Sequence, residues 1–109
     1  MPHVIIEYNQ AVAQQVDINK LVSCAHQATE ASGLFNPIAI KSRAHAYEFF
    51  HLGAADADNF VHISIRLLPG RTEEQKRALS QGVFDAVNEL VDASLSVEVL
   101  DLPLSYVKG

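Results

Sequence analysis

Residues with specialised redox or metal chemistry are scarce in this chain of 109 residues, which has one cysteine, one methionine and no tryptophan. Because Cys24 is the sole cysteine, no internal disulfide can form, and no Cys-x-x-Cys pair is available for zinc. The five histidines include no pair at the i, i+4 spacing by which a helix holds a metal ion. We therefore expect neither a metal nor any other cofactor.

Positive charge and long apolar runs are also lacking. Eight lysines and arginines stand against thirteen acidic residues, for a net charge of −5, and this balance argues against nucleic acid as the main partner. No apolar run approaches the roughly 18 residues that span a bilayer, and the start of the chain does not have the pattern of an export signal. We expect a single cytoplasmic domain, residues 1–109, with no membrane partner.

The apolar pattern of the first half predicts a strand, a helix and a second strand. Residues 3–8 are rich in β-branched and aromatic types. Asp17 stands at the N-cap position of an amphipathic helix, which Gly33 ends. Residues 38–50 alternate between apolar and polar types and are predicted to be extended. A small, polar segment, residues 53–59, connects this half to the next.

The second half repeats the same order. Residues 60–68 alternate as a strand, and the turn that follows leads to Thr72 and Gln75, which have the spacing of a capping box. A second amphipathic helix follows, and a last strand covers residues 97–100. The pattern thus repeats over residues 1–52 and 59–107.

Two βαβ units of this kind predict an α+β fold, with a four-stranded mixed sheet and both helices on one face. The other face also carries large apolar residues, so we expect a partner subunit to cover it. These residues are Ile5, Tyr47, Phe49, Phe60 and Leu68.

Pro2 directly follows the initiator methionine. A small second residue permits removal of Met1, and removal would leave a secondary amine at the tip of a strand. Because an α-amino group titrates near ~8, modest desolvation or a nearby cation would keep it neutral and able to accept a proton. The alternative is that Pro2 only starts a strand, where a missing N–H does no harm.

A local cluster of cations is the second chemical feature. Lys41 and Arg43 alternate along a predicted strand and share one face, about 6 to 7 Å apart, which suits a carboxylate ligand. Arg71 adds a cation before the second helix, whose free N–H groups also favour anions. The alternative is a solvated face with weak ion pairs to Glu7 or Glu48.

Several segments together resemble the 5-carboxymethyl-2-hydroxymuconate Δ-isomerases of the tautomerase superfamily. The resemblance covers nearly the whole chain, and the order and spacing of the segments make it specific. The segments are Met1-Pro2-His3 with Glu7 in the following strand, Gly33-Leu34-Phe35, Lys41-Ser42-Arg43-Ala44-His45, Phe60-Val61-His62 and Gly70-Arg71.

The resemblance implies a homotrimer with Pro2 as the catalytic base, and with Arg43 and Arg71 on basic positions that bind the substrate's carboxylates. Lys41 stands where the family pattern leads us to expect arginine. The implied reaction is a 1,3-proton shift on an unsaturated 2-hydroxy or 2-oxo dicarboxylate from homoprotocatechuate breakdown. Two alternatives stay open: another tautomerase activity, such as a phenylpyruvate type, and a non-catalytic ligand-binding module if Met1 is retained.

Overall fold

Two helices pack on one face of a four-stranded sheet in a computed structural model of the protein, which describes residues 1–53 and 57–109. This architecture is the α+β fold that the sequence predicts. The elements in chain order are β1 (His3–Asn9), α1 (Ile18–Ala31), β2 (Lys41–Tyr47), β3 (Phe60–Leu67), α2 (Glu73–Asn88) and β4 (Ser94–Asp101). Within the described ranges, no helix is long and apolar enough to cross a membrane.

The sheet has the strand order β2-β1-β3-β4. β1 and β3 are antiparallel at its centre, and each pairs in parallel with the second strand of its own half. The two halves also begin alike, because the Lys41 N–H donates to the Pro2 carbonyl at 3.0 Å and the Ser94 N–H donates to the Asn59 carbonyl at 2.8 Å. The division into 1–52 and 59–107 stays a prediction, and residues 54–56 of the predicted connection lie outside the described residues.

The core lies between the sheet and the helices. Alternate residues of the two central strands point to the helices and are buried: Val4, Ile6 and Tyr8 of β1, and Val61, Ile63, Ile65 and Leu67 of β3. The helices face them with Leu21, Ala25, Leu79, Val83 and Val87. Because full burial of such an aliphatic side chain contributes about 1.5–3 kcal/mol, this layer is the main source of the fold's stability.

Both helices begin where the sequence predicts. The Asp17 carboxylate accepts the Asn19 N–H at 2.9 Å, and Thr72 and Gln75 form the reciprocal capping box. Gly33 follows α1 with a φ of 73°, a left-handed conformation that glycine adopts without strain. Side-chain caps of this kind are local, which explains why the sequence alone locates them.

The boundaries of the edge strands differ from the prediction. Residues 37–39 form a 3-10 turn that leaves Ile38 90% exposed, because Pro37 sets φ and the Asn36 side chain accepts the Ile38 N–H. β2 therefore starts at Lys41 and ends at Tyr47. β4 begins at Ser94, three residues before the predicted start, because its first outward-facing residues are serines and do not extend the apolar pattern.

The sheet face opposite the helices is more polar than predicted. Tyr47 and Phe60 pack together at one end with ring centroids 6.1 Å apart, whereas Leu68 lies beyond β3 at the other end. Ile5 lies between them, paired with Arg43 on one side and Ser64 on the other. The expected apolar surface is therefore divided, with a polar centre and apolar residues at its ends.

Candidate active site

Pro2 is buried immediately before β1, at the end of the sheet where that central strand begins. Its carbonyl accepts the Lys41 N–H, so the starts of β1 and β2 are joined there. β3 runs antiparallel to β1, and β4 runs parallel to β3. The last residues of β3 and β4 therefore lie at the end of the sheet where β1 begins. The loop after β3 and the tail after β4 consequently converge on Pro2.

Cationic side chains gather on the outer sheet face near Pro2. Lys41 and Arg66 are the neighbours of His3 in the two adjacent strands, and Arg43 lies one outward-facing position further along β2. Lys41, Arg43 and Arg66 are all exposed. Sequence analysis found Lys41 and Arg43 because they alternate on one strand. It missed Arg66 as a site residue, because only the β1–β3 register reveals that proximity.

Among the described residues, Lys41 and Arg43 do not form the ion pairs with Glu7 or Glu48 that the alternative interpretation requires. The Tyr47 hydroxyl donates to the Glu7 carboxylate, which raises the pKa of Tyr47 above its usual value. In the part of the chain that the structure describes, ion pairs involve His62 and Lys76, and none involves Lys41 or Arg43.

A chain of hydrogen bonds connects Arg43 to the end of the chain. Arg43 Nη1 lies 3.1 Å from His3 Nδ1, and His3 Nε2 lies 2.9 Å from the Tyr106 hydroxyl. Tyr106 in turn donates to the Met1 sulfur at 3.1 Å. His3 and Tyr106 were not among the predicted site residues, and nothing in the local pattern relates two positions 103 residues apart.

Burial and positive charge lower the pKa of the Met1 amine and of His3, which both lie at the start of β1. The pKa of the Met1 amine falls below its usual value of 8.0, first because the amine is partly buried and then because Lys41 and Lys108 are close. The pKa of His3 also falls, through partial burial and then through Arg43 and Lys41. The surroundings of Pro2 thus favour neutral nitrogen bases over their protonated forms.

Arg71 lies at the same end of the molecule, on the side of the helices. Its guanidinium donates to the Leu34 carbonyl at 2.6 Å and lies over the Phe35 ring, 5.5 Å from the centroid. These contacts leave further N–H donors, since a guanidinium carries five. Gly70, with a φ of 123°, forms the turn that leads to this position.

The start of α2, where free N–H groups are predicted to favour anions, carries its own negative charge. Its capping box gives side-chain partners to the Thr72 and Gln75 N–H groups, and Glu73 and Glu74 place two carboxylates in the first turn. Those carboxylates already interact favourably with the positive end of the helix dipole and would repel a second anion. Arg71 is therefore the group of this region with a full positive charge for an anion, and its role stays a prediction.

The remaining surface features lie away from Pro2. His62 Nε2 lies 2.6 Å from the Glu98 carboxylate in the middle of the outer face, and this hydrogen bond holds the pKa of Glu98 below its usual value. A groove between the helices has Lys20 and Glu89 among its lining residues, on the opposite side of the sheet. Within residues 1–53 and 57–109, no group of three or more His, Cys, Asp or Glu could hold a metal ion.

The βαββαβ sheet with both helices on one face is the tautomerase fold, which the solved structure of a 5-carboxymethyl-2-hydroxymuconate delta-isomerase shares. The family model for 5-carboxymethyl-2-hydroxymuconate isomerase matches residues 2–108, so the chain belongs to that family.

Individual relatives are distant in sequence. The chain is similar to the Escherichia coli 5-carboxymethyl-2-hydroxymuconate Delta-isomerase, with 23% identity over 94% of this chain and 82% of the relative. A solved structure of a 5-carboxymethyl-2-hydroxymuconate delta-isomerase superposes with a TM-score of 0.84 at 16% identity, covering 100% of this chain and 87% of the other. A fused 4-OT, solved as a symmetric trimer, gives a TM-score of 0.69 at 20% identity, covering 99% and 89% of the two chains.

Proposed function

We propose that this isomerase catalyses a cofactor-free 1,3-proton shift on an unsaturated 2-hydroxy or 2-oxo dicarboxylate, such as 5-carboxymethyl-2-hydroxymuconate from homoprotocatechuate breakdown. In this proposal, removal of Met1 frees the nitrogen of Pro2, which acts as the general base. Lys41, Arg43 and Arg71 bind the carboxylates of the substrate. The name of the Escherichia coli relative supports the choice of substrate.

The observation that carries the proposal is the setting of Pro2. Pro2 is buried at the end of the sheet where partial burial, and then Lys41 and Lys108, lower the pKa of the Met1 amine. After removal of Met1 the amine would belong to Pro2, one residue closer to the sheet, and the same cations and burial would act on it. A lowered pKa increases the neutral fraction near pH 7, which is the form that can accept a proton.

The proton shift then needs one base that acts twice. The lone pair of Pro2 takes the proton of the 2-hydroxyl, and the electrons of that O–H bond move through the conjugated system. The prolinium returns the proton to a carbon further along the same system, so neither a proton nor an electron is gained or lost overall. The nearby cations stabilise the negative charge of the intermediate dienolate.

Lys41 and Arg43 differ in how they can bind a carboxylate. The planar guanidinium of Arg43 can hold a carboxylate through two parallel hydrogen bonds, whereas the Lys41 ammonium acts as a point charge. The carboxylate next to Lys41 can therefore take more than one orientation, because an ammonium does not impose the two-bond geometry of a guanidinium. We infer that the Lys41 side binds its carboxylate with less geometric selectivity than the Arg43 side.

We also propose that the protein is a homotrimer. The fused 4-OT that shares this fold is a symmetric trimer, which supports this assembly. In addition, the outer sheet face carries apolar residues at both ends, and Phe49 is 86% exposed in the single chain. Burial of these residues against two further copies would remove apolar surface from water.

The experiment compares activity with the state of the terminus. Purified samples with different fractions of processed chain are assayed for ketonisation of 2-hydroxymuconate-type dicarboxylates, and the fraction that begins at Pro2 is measured by mass spectrometry. Activity should be proportional to that fraction, because the nitrogen of a Met-Pro amide has no basic lone pair. Activity of processed protein should fall as the pH drops through a pKa below the usual ~8, since prolinium cannot accept a proton.

Two results would contradict the proposal. Full activity in protein that uniformly retains Met1 would exclude Pro2 as the base. Turnover of phenylpyruvate in preference to every dicarboxylate would assign a different substrate class. The Pro2→Ala variant is a useful control, because its primary amine, once processed, should keep part of the activity.

A further inference from the structure

We propose that the hydroxyl of Tyr106 donates a hydrogen bond to a negatively charged oxygen of the substrate, in the space that the Met1 side chain occupies, and that His3 sets the direction of this bond. The inference rests on the proposed function, because it needs Met1 to be removed. It adds one substrate-binding residue, Tyr106, and one positioning residue, His3.

The direction follows from what each group can donate. Arg43 has only N–H donors, so His3 Nδ1, 3.1 Å away, must accept. His3 is then the neutral tautomer that carries its proton on Nε2. That N–H points to the Tyr106 oxygen at 2.9 Å, which therefore accepts. The remaining role of the Tyr106 hydroxyl is to donate its own proton.

In this structure the proton of Tyr106 is directed to the Met1 sulfur at 3.1 Å. A thioether is a weak acceptor. Removal of Met1 would take this partner away and leave a directed donor next to His3, the residue that follows Pro2. A carboxylate or dienolate oxygen is a much better acceptor, because hydrogen bonds to an ionised oxygen are roughly twice as strong as neutral ones.

Tyr106 is held in place by its own segment. The tail is anchored where the Leu102 N–H donates to the Leu67 carbonyl at 2.7 Å, with Leu102 buried. It then turns, with the Tyr106 N–H donating to the Pro103 carbonyl at 3.0 Å. The Tyr106 ring meets the His3 ring edge to face, with 5.9 Å between centroids. The donor is thus positioned before any substrate arrives.

The charges around His3 preserve its accepting nitrogen. Partial burial lowers the pKa of His3, and Arg43 and Lys41 on β2, the terminal amine and Arg66 on β3 lower it further. If both ring nitrogens of His3 were protonated, the Nδ1–H would face the Arg43 guanidinium, and Nδ1 could no longer accept a hydrogen bond from it. Near pH 7 the neutral form, and with it the outward direction of the Tyr106 proton, is favoured.

The main test is the Tyr106→Phe variant of fully processed protein, assayed on a 2-hydroxymuconate-type dicarboxylate. Loss of one charge-assisted hydrogen bond should lower kcat/KM about tenfold to a hundredfold, while far-UV circular dichroism stays unchanged. The matched control is Tyr47→Phe, which removes a hydroxyl at the other end of β2 and should keep wild-type kcat/KM. Wild-type kcat/KM in Tyr106→Phe would overturn the inference and would leave Pro2 as the proposed base.

A second measurement addresses His3 directly. Nitrogen-15 NMR at neutral pH should show the Nε2–H tautomer for His3 in processed protein. The Nδ1–H tautomer would overturn the inference, because Nδ1 could then not accept from Arg43. Loss of kcat/KM in Tyr106→Phe together with the Nε2–H tautomer would support it. Full activity in Met1-bearing protein would overturn both this inference and the proposed function.

Discussion

Individual arginines at this site have different surroundings. Arg43 is exposed on an edge strand and contacts His3, whereas Arg71 is partly buried between a backbone carbonyl and the Phe35 ring. Arg71 is therefore held in one orientation by contacts within the protein. Arg43 can turn further toward a ligand, although His3 limits its range.

Alanine at either position should weaken activity on a dicarboxylate. Loss of one charge-assisted pair corresponds to about 1.5–3 kcal/mol, so kcat/KM of Arg43→Ala and of Arg71→Ala should fall by about one to two orders of magnitude. Arg77→Ala makes the same change on the exposed side of α2 and should have no effect. If both site variants retain wild-type kcat/KM, these cations are ordinary solvated surface charges.

Secondary-structure elements differ in how far the sequence predicts them. The helix starts are predictable from Asp17 and from Thr72 with Gln75, because a cap depends on residues within one turn. The start of β2 is not predictable in this way, because the alternation of apolar and polar residues begins at Ile38, inside a 3-10 turn that precedes the strand. The contact of His3 with Tyr106, and the position of Arg66 beside His3, depend on strand register and the path of the tail. No local pattern encodes either.

The capping box of α2 offers a test at this scale. Thr72→Ala removes the oxygen that accepts the Gln75 N–H, so the free energy of unfolding should fall by about 1 kcal/mol. Thr72→Ser should keep most of the wild-type free energy of unfolding, since the serine hydroxyl can accept the same hydrogen bond. Urea denaturation measures both variants. An unchanged unfolding midpoint for Thr72→Ala would mean that tertiary packing alone fixes the start of α2.

The whole molecule presents two unlike faces. The helices cover one side of the sheet, and the other side carries charged and polar rows with apolar residues at the ends. A single chain leaves Ile5 only half-buried at the centre of that outer side. The proposed trimer would surround this face with two others like it.

Disruption of the centre of the outer face should separate the subunits. Sedimentation of the wild-type protein at micromolar concentration should give three times the mass of one chain. Ile5→Asp should shift the mass toward that of one chain, because the trimer would bury this carboxylate and its neighbour Arg43 does not repay the cost of desolvation. Ser23→Asp adds the same charge on the helix side and should stay trimeric. Circular dichroism checks that Ile5→Asp is folded. A wild-type monomer at this concentration would contradict the trimer.

The matching starts of β1 and β3 have a consequence for stoichiometry. Pro2 and Asn59 accept the same hydrogen bond at corresponding places, and the two places lie at opposite ends of the sheet. Asn59, however, is joined to Asp58 through an amide, and an amide nitrogen is not basic. Catalysis by a terminal amine can therefore occur at one of these two positions and not at the other. On the proposed mechanism, a fold assembled from two similar halves in one polypeptide has one reactive centre per chain, whereas two separate polypeptides, each with its own terminal amine, would have two.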